Sequence, residues 1–202
     1  MEILVSDEPD IELDIPNGLI MIKNFISVKI KEYNGILLVS HFKGHAKGGY
    51  GGALKNLSIG LSSRIGKTYI HSAGKNGDPN EFLNKFCSVK DFKECMVDYV
   101  YSMMNYYKGK MAFIIVMKNI SVDCDGNAKP PCRKDIGILA SINPNAVDKA
   151  CLDIIYNSDD PRKKEKNLLK GMKIECAPNT IECSAKFGTG SGDYELINID
   201  NE

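Results

Sequence analysis

The chain has 202 residues, of which 43% are apolar, and its 26 basic side chains balance its 26 acidic ones. A chain of this length can form one globular domain with a sizeable core. A zero net charge argues against nucleic acid as a partner, because neutralising phosphates requires a basic excess on one face. The longest apolar run, Met111 to Met117, falls far short of the ~20 residues that a membrane span requires. The acidic N-terminus lacks the basic region of a signal peptide, so we expect a cytoplasmic protein that binds neither nucleic acid nor membranes.

Two early apolar runs are predicted to be strands. We expect residues 1–18 to form an extended lead-in and residues 19–200 to form a single domain. Leu19 to Ile22 is the first short strand and Ile36 to Val39 is the second, because both runs are continuous and apolar.

Apolar residues that recur at intervals of three and four predict several helices. The first begins near Gly51 or Gly52. Ser88 is the predicted N-cap of a long helix. Asn143 caps another helix, whose first residue is Pro144.

The remaining segments complete a pattern in which strands alternate with helices. Met111 to Met117, Ile136 to Ala140 and Tyr194 to Ile199 are predicted strands, and residues 62–77 are a predicted loop. The charge-dense segment 157–175 is predicted to be a solvated loop, with a lid as the minority interpretation. The alternation indicates an α/β fold with a mostly parallel sheet flanked by helices. In such a fold, ligand loops lie at the carboxyl ends of the strands.

The glycine-rich stretch from Ser40 to Gly60 is the predicted centre of function. Its glycines would let backbone N–H groups approach a phosphate or carboxylate, and a helix N-terminus behind them would add positive partial charge. The pattern matches neither a Walker A loop nor GxGxxG, so it implies no class of nucleotide. The alternative is a tight structural turn with solvated lysines. The predicted ligand-binding residues are Lys43, Gly48, Gly49, Gly51, Gly52, Asn56, Arg64, Lys67 and His71.

His41 and His45 are the predicted metal-binding and proton-transfer residues, with Lys55 as a further catalytic candidate. Neutral imidazole binds late first-row metals, and histidine exchanges protons near neutral pH. If the strands are parallel, the loops at 41–55, 123–125 and 141–143 lie along one edge of the sheet.

The triplet Asp123-Cys124-Asp125 would add a thiolate and two carboxylates to this edge, and Cys132 is a possible second sulfur. These residues complete the predicted metal ligands, and the alternative is a turn with a half-exposed thiol. The seven cysteines are scattered and form no CxxC motif, so we expect most of them to be free thiols.

Several longer motifs occur in order along the chain. They are HFKGHAKGGYGGALKNLSIG (41–60), Arg64-Ile-Gly-Lys67, His71-Ser-Ala-Gly74, Asp123-Cys-Asp125, Asp135-Ile-Gly-Ile-Leu-Ala-Ser141, Asn143-Pro144 with Ala146-Val-Asp148, and Gly188-Thr-Gly190 with Tyr194-Glu-Leu-Ile197. Together these motifs resemble a bacterial and archaeal family often described as uncharacterised Fe–S centre proteins, domain of unknown function three-six-two. The resemblance covers residues 19–199.

The chain departs from this family in ways that bear on its cofactor. Many members carry a ferredoxin-like cysteine insert at the place of residues 75–88, where this chain has only Cys87. The usual Cys-Asp-Cys is Cys124-Asp125-Gly126 here, and members usually have a further α/β segment before the part that matches residue 19. The resemblance therefore implies a short form without a [4Fe–4S] cluster, which leaves a transition metal as the candidate cofactor. It also implies pairing with a second copy or with a chain that supplies the missing N-terminal part.

We therefore expect this chain to bind an anionic small molecule or a metal cofactor at the His/Lys/Gly-rich stretch, with proton or electron transfer there. The alternative is a non-catalytic binding or assembly module that has lost its iron–sulfur cluster.

Overall fold

The computed structural model describes residues 10–81, 87–122, 130–158, 160, 165–174 and 176–200. The strands are β1 (Asp10–Asp14), β2 (Lys23–Ser27), β3 (Ile36–His41), β4 (Lys43–His45), β5 (Gly49–Gly51), β6 (Met111–Met117) and β7 (Gly137–Ser141). The α-helices are α1 (Ala53–Lys55), α2 (Arg64–His71), α3 (Val89–Tyr107), α4 (Pro144–Asn157), α5 (Glu165–Ile174) and α6 (Pro178–Lys186). A π-helical turn (Asn56–Gly60) continues α1, and 3-10 turns cover Val28–Glu32 and Pro79–Glu81.

The central sheet is small and mixed, with the strand order β3-β6-β7. β3 runs parallel to β6, and β7 runs antiparallel to β6. The other two sheets are the antiparallel pairs β1-β2 and β4-β5. The prediction of a mostly parallel sheet flanked by helices is therefore wrong.

The direction of β7 follows from how the chain returns from β6. The N–H of Cys132 donates to the carbonyl of Ile120 at 2.8 Å, and the N–H of Ile136 donates to the carbonyl of Met117 at 2.9 Å. These bonds extend the pairing beyond β6, whereas a parallel strand needs a crossover that is usually helical. The carboxyl end of β7 therefore lies at the opposite edge from those of β3 and β6. The loop at 141–143 therefore does not lie beside the stretch that follows β3.

Predictions that rested on local signals are confirmed. β3 and β6 form where continuous apolar runs predicted them. Ser88 caps α3 by accepting a hydrogen bond from the N–H of Asp91 at 3.0 Å. Asn143 caps α4 in the same way, with Pro144 as the first helical residue.

Other segments differ from the prediction because distant contacts decide their structure. Residues 62–77 contain α2, which begins after Ser63 accepts a hydrogen bond from the N–H of Gly66 at 3.1 Å. Leu19 to Ile22 forms no strand, since the N–H groups of Leu19, Ile20 and Met21 donate to the carboxylate of Asp98 at 2.6–2.8 Å. Tyr194 to Ile199 is exposed and is not paired as a strand.

The predicted lead-in (residues 1–18) and the predicted charged loop (residues 157–175) also contain regular structure. Within residues 1–18, β1 pairs with β2, so that Asp10 lies opposite Ser27. Within residues 157–175, α5 packs against the hairpin of β4 and β5.

One face of the central sheet packs on helices, and no helix of the described residues covers the other, on which Leu37, Val39 and Ile138 are exposed. α1 and α4 cover the first face, and α3 lies against α1, α2 and α6. The core between these elements includes Tyr99, Phe92 and Phe113, all fully buried. None of the helices in the described part of the chain has both the length and the apolar content that a bilayer span requires.

Candidate functional site

The glycine-rich stretch folds as a β-hairpin rather than as an open loop. In the β4-β5 ladder, Lys43 lies opposite Gly51 and His45 lies opposite Gly49. His45 closes the turn, because its Nδ1 accepts a hydrogen bond from the N–H of Gly48 at 2.9 Å. Gly49 has a φ of +80°, a conformation that favours glycine.

Several glycines of this stretch allow close packing within the fold. A Cβ on Gly44 would collide with the carbonyl of Val122. A Cβ on Gly49 would lie 2.9 Å from Cα of Ala177, and one on Gly52 would collide with the carboxylate of Asp148. The nearest neighbours of these glycines are thus other parts of the chain.

The helix N-terminus behind the hairpin is already occupied by a carboxylate of the protein itself. Asp148 accepts hydrogen bonds from the N–H groups of Ala53 at 2.7 Å and Leu54 at 3.0 Å. It also accepts one from the hydroxyl of Tyr50 at 2.8 Å. An external anion therefore cannot use these two amides while Asp148 holds them.

Burial raises the pKa of Asp148 to about 6, although its hydrogen bonds from Leu54, Ala53 and Tyr50 act in the opposite direction. Asp148 is thus mostly ionised at pH 7. No role for Asp148 was predicted from the sequence. Its position on the apolar face of α4 could have indicated one, because a buried carboxylate requires hydrogen-bond partners.

Two lysine side chains lie side by side over Gly51. The position of a Cβ on Gly51 is 3.4 Å from Cγ of Lys43 and 3.7 Å from Cδ of Lys55. Lys43 is only 9% exposed, whereas Lys55 is half-buried at the end of α1. The π-helical turn begins immediately after Lys55, and such turns are frequent at functional sites.

His71, at the end of α2, lies close enough to Lys55 for that charge to act on its ring. Its ring stacks on Phe92 with a centroid distance of 4.7 Å. Burial, together with the positive charges of Lys47 and Lys55, lowers the pKa of His71 to about 4. His71 is therefore neutral at pH 7. We refer to Lys43, Lys47, Lys55 and His71 as the lysine cluster.

Phe92 also connects the hairpin turn to this cluster. Nζ of Lys47 lies 5.9 Å from the centroid of its ring, and the ring of His45 stacks at 6.3 Å. Burial lowers the pKa of Lys47, and the charge of nearby Cys87 acts in the opposite direction. For Cys87, burial raises the pKa of the thiol, while Lys47 acts to lower it.

Arg64 and Lys67 lie on the same helix as His71. Their spacing of three and then four residues places all three on one face of α2. Arg64 is exposed and lies about 10 Å from His71 along the helix axis, and Lys67 lies about 6 Å from His71 along the same axis. This face of α2 therefore ends at His71, which is a member of the lysine cluster.

His41 and Asn56 lie at the carboxyl end of β3. Nε2 of His41 is 2.6 Å from the carbonyl oxygen of Lys118, a contact that joins the ends of β3 and β6. The side-chain amide of Asn56 donates to the carbonyl of Val39 and to the hydroxyl of Ser40, both at 3.1 Å. These contacts hold the strand ends in place.

Asp123, Cys124 and Asp125 lie outside the described residues, so the metal site predicted with them stays a prediction. The chain approaches this triplet beside β4, because the N–H of Gly44 donates to the carbonyl of Ser121 at 2.9 Å. Within the described ranges, no group of three or more His, Cys, Asp or Glu side chains could hold a metal ion.

The described cysteines do not fit an iron–sulfur cluster. They are distributed over different elements, and Cys95 and Cys151 are buried in α3 and α4. Cys132, a candidate second sulfur, is buried and donates to the carbonyl of Ile120 at 3.2 Å.

Comparison with known proteins identifies one family model. It is described as "Domain of unknown function (DUF362)" and matches residues 2–153. The match includes the hairpin, the lysine cluster and Asp148. Neither the curated proteins nor the solved structures include a significant match to the chain.

Proposed function

The chain belongs to a family of domains of unknown function, DUF362, and we propose that its lysine cluster binds a small anionic ligand, a phosphate or a carboxylate. The observation that carries this proposal is the crowding of positive charge around His71. The charges of Lys47 and Lys55 both act on this ring, and the stem of Lys55 lies beside that of Lys43 over Gly51.

The positive charges of neighbouring lysines repel one another. An anion among them replaces repulsion with attraction, and ammonium groups bind phosphate as point charges. Arg64 and Lys67 add positive charge on the adjacent face of α2.

His71 would contribute to the site as a neutral ring. A neutral imidazole has one N–H that can donate to an anion. A bound anion would also favour the protonated form of His71 and would raise its pKa from about 4. The proton-transfer role expected from the sequence concerned His41, His45 and Lys55 and stays a prediction.

Titration calorimetry with inorganic phosphate tests the proposal on the wild type and on Lys47→Gln, Lys55→Gln and Lys31→Gln. Lys31 is an exposed lysine in the Val28–Glu32 turn and serves as the matched control. We expect phosphate to bind the wild type, each cluster variant to weaken binding roughly tenfold, and the control to bind like the wild type. Absence of binding, or an equal loss in the control, would contradict the proposal.

An NMR titration of the histidine rings provides an independent measurement. At constant ionic strength, replacing chloride with phosphate should raise the pKa of His71, whereas the exposed ring of His41 reports on non-specific effects. A pKa of His71 that phosphate leaves unchanged would show that the anion does not bind at the cluster.

The alternative from the sequence, a non-catalytic binding or assembly module that has lost its iron–sulfur cluster, stays a prediction.

A further inference from the structure

The start of α2 carries two positive charges and no negative one. Arg64 is the first residue of the helix, Lys67 follows three residues later, and the first turn contains no acidic residue. The N-terminus of a helix bears positive partial charge, so acidic side chains are favourable there and cations are unfavourable. The stability of α2 therefore does not explain why these two residues are cationic.

The protein itself supplies no counter-ion for these two side chains. Among the residues that the structure describes, no carboxylate forms an ion pair with Arg64 or Lys67. The carboxylate of Asp10 lies at the same end of α2, but it accepts a hydrogen bond from the hydroxyl of Ser63 at 2.6 Å. The two cations are therefore available to an anion from outside the chain.

These cations are also aligned with the lysine cluster. Arg64, Lys67 and His71 are spaced by three and then four residues, so they share one face of α2. With a rise of about 1.5 Å per residue, Lys67 and Arg64 lie about 6 and 10 Å from His71 along the helix axis. At the His71 end, the charges of Lys47 and Lys55 act on the imidazole ring. This face of α2 thus has a cationic group of side chains at each end.

We propose that the ligand of this protein carries two phosphate groups about 6–10 Å apart, one held by the lysine cluster and the other by Arg64 and Lys67. The first phosphate group occupies the site of the proposed function, on which this further step therefore rests. The guanidinium of Arg64 can bind two oxygens of a phosphate at once, which a lysine ammonium cannot do. The ligand class is an organic bisphosphate, with its phosphates at opposite ends of a short chain.

The separation of the two ends distinguishes an organic bisphosphate from more compact anions. The two phosphorus atoms of pyrophosphate share one bridging oxygen, so this ion is too short to reach both ends of the face. A phosphate monoester has only one group to bind. Both should therefore bind through the lysine cluster, with little dependence on Arg64.

Titration calorimetry at constant ionic strength tests this with butanediol bisphosphate, which is phosphorylated at both ends, and with butyl phosphate and pyrophosphate. We expect the wild type to bind the bisphosphate at least about tenfold more tightly than butyl phosphate. Arg64→Gln and Lys67→Gln should each weaken bisphosphate binding roughly tenfold and change the binding of the other two ligands much less.

Lys31→Gln is the matched control, because it removes one positive charge from an exposed lysine in the Val28–Glu32 turn. It should bind all three ligands like the wild type. The variants at Arg64 and Lys67 should fold, since glutamine forms helices well and neither side chain is buried. Their Tm without ligand should be unchanged or slightly higher, because each loses a cation near the N-terminus of α2.

Two results would overturn the bisphosphate site and leave the proposed function intact. One is a wild type that binds butyl phosphate but binds the bisphosphate no more tightly. The other is bisphosphate binding that Lys55→Gln weakens and Arg64→Gln does not. If none of the three ligands binds, or if Lys55→Gln changes the binding of none of them, the proposed function itself is wrong, and the bisphosphate site is wrong with it.

Discussion

Asp148 connects parts of the chain that are far apart in sequence. Its carboxylate accepts hydrogen bonds from Tyr50, Ala53 and Leu54, which brings the hairpin and α1 onto α4. Asp98 plays a similar part for the segment from Leu19 to Met21. Because each carboxylate satisfies several buried donors, removing one leaves those donors without an acceptor.

Asp148→Asn should lower the free energy of unfolding by about 1–3 kcal/mol at pH 7, because an amide offers one acceptor oxygen instead of two. The effect should also depend on pH. Burial raises the pKa of Asp148 to about 6, so the native state retains a proton that the unfolded state releases above about pH 4. The part of its stabilisation that depends on pH is therefore fully present below about pH 4 and is lost as the pH rises through about 6, whereas the part that comes from its hydrogen bonds remains at pH 7. Urea unfolding should show a wild-type advantage over Asp148→Asn that shrinks across this range, and a constant advantage would contradict the shift.

His71 should show the opposite dependence. Its pKa is lowered to about 4 from the usual 6.5, so the unfolded state binds a proton that the native state does not. The stability that His71 contributes is present above about pH 6.5 and is lost as the pH falls toward 4. The loss is at most ~3 kcal/mol, and it is smaller because solvent screens this half-buried ring.

Urea unfolding of His71→Asn should therefore show a disadvantage relative to wild type that shrinks as the pH falls from about 6.5 to 4. His41→Asn is the matched control, because His41 is exposed at the end of β3. A difference between wild type and His71→Asn that does not change with pH would mean that the ring titrates normally.

At the level of elements, the β4-β5 hairpin is held between α5 and the start of α6. Both of its strands contact α5, and Gly49 lies against Ala177. The glycines let the hairpin fit into this narrow space and place Lys43 and Lys47 next to α1 and α3. The hairpin positions the lysine cluster through packing.

Gly49→Ala should destabilise the protein by about 1–2 kcal/mol or more, because the left-handed backbone disfavours a side chain and the new Cβ would lie 2.9 Å from Ala177. Gly171→Ala, in α5, is the control. A Cβ there would meet nothing within 4 Å, and alanine favours a helix over glycine by up to ~1 kcal/mol. Thermal unfolding should therefore show opposite signs for the two variants. Equal effects would show that Gly49 is not confined as described.

At the level of the whole molecule, α3 belongs to a helical layer in which it lies against α1, α2 and α6. Phe92, Met96 and Tyr99 are among its buried residues. Cys95 is buried on the same helix, and burial raises the pKa of its thiol. The reactivity of the cysteines therefore reports whether this layer is intact.

Thiol labelling followed by peptide mass mapping should give a clear order among the described cysteines. Exposed Cys176 should react first under native conditions. Cys95 and Cys151 are buried and should react only through unfolding, slower than Cys176 by a factor of ~10³ or more. Fast labelling of Cys151 without denaturant would mean that α4 separates readily from the sheet.

Local patterns in the sequence were enough to predict several elements. The apolar runs predicted β3 and β6, and Ser88 and Asn143 predicted the starts of α3 and α4. These signals work because they depend on neighbouring residues, such as a hydroxyl and an N–H three positions apart. The place of the candidate site followed from the same residue types, since lysine, histidine and glycine occur together in one short stretch.

Only the tertiary structure decided how these elements combine. The antiparallel direction of β7 and the hairpin form of the glycine-rich stretch depend on which backbone groups meet in space. Tyr50 and Asp148 are 98 residues apart, so no local pattern could reveal that this carboxylate occupies the N-terminus of α1. Apolar strands predict that a sheet face is suited to burial, but only the packing of α1 and α4 decides which face they cover and which remains open.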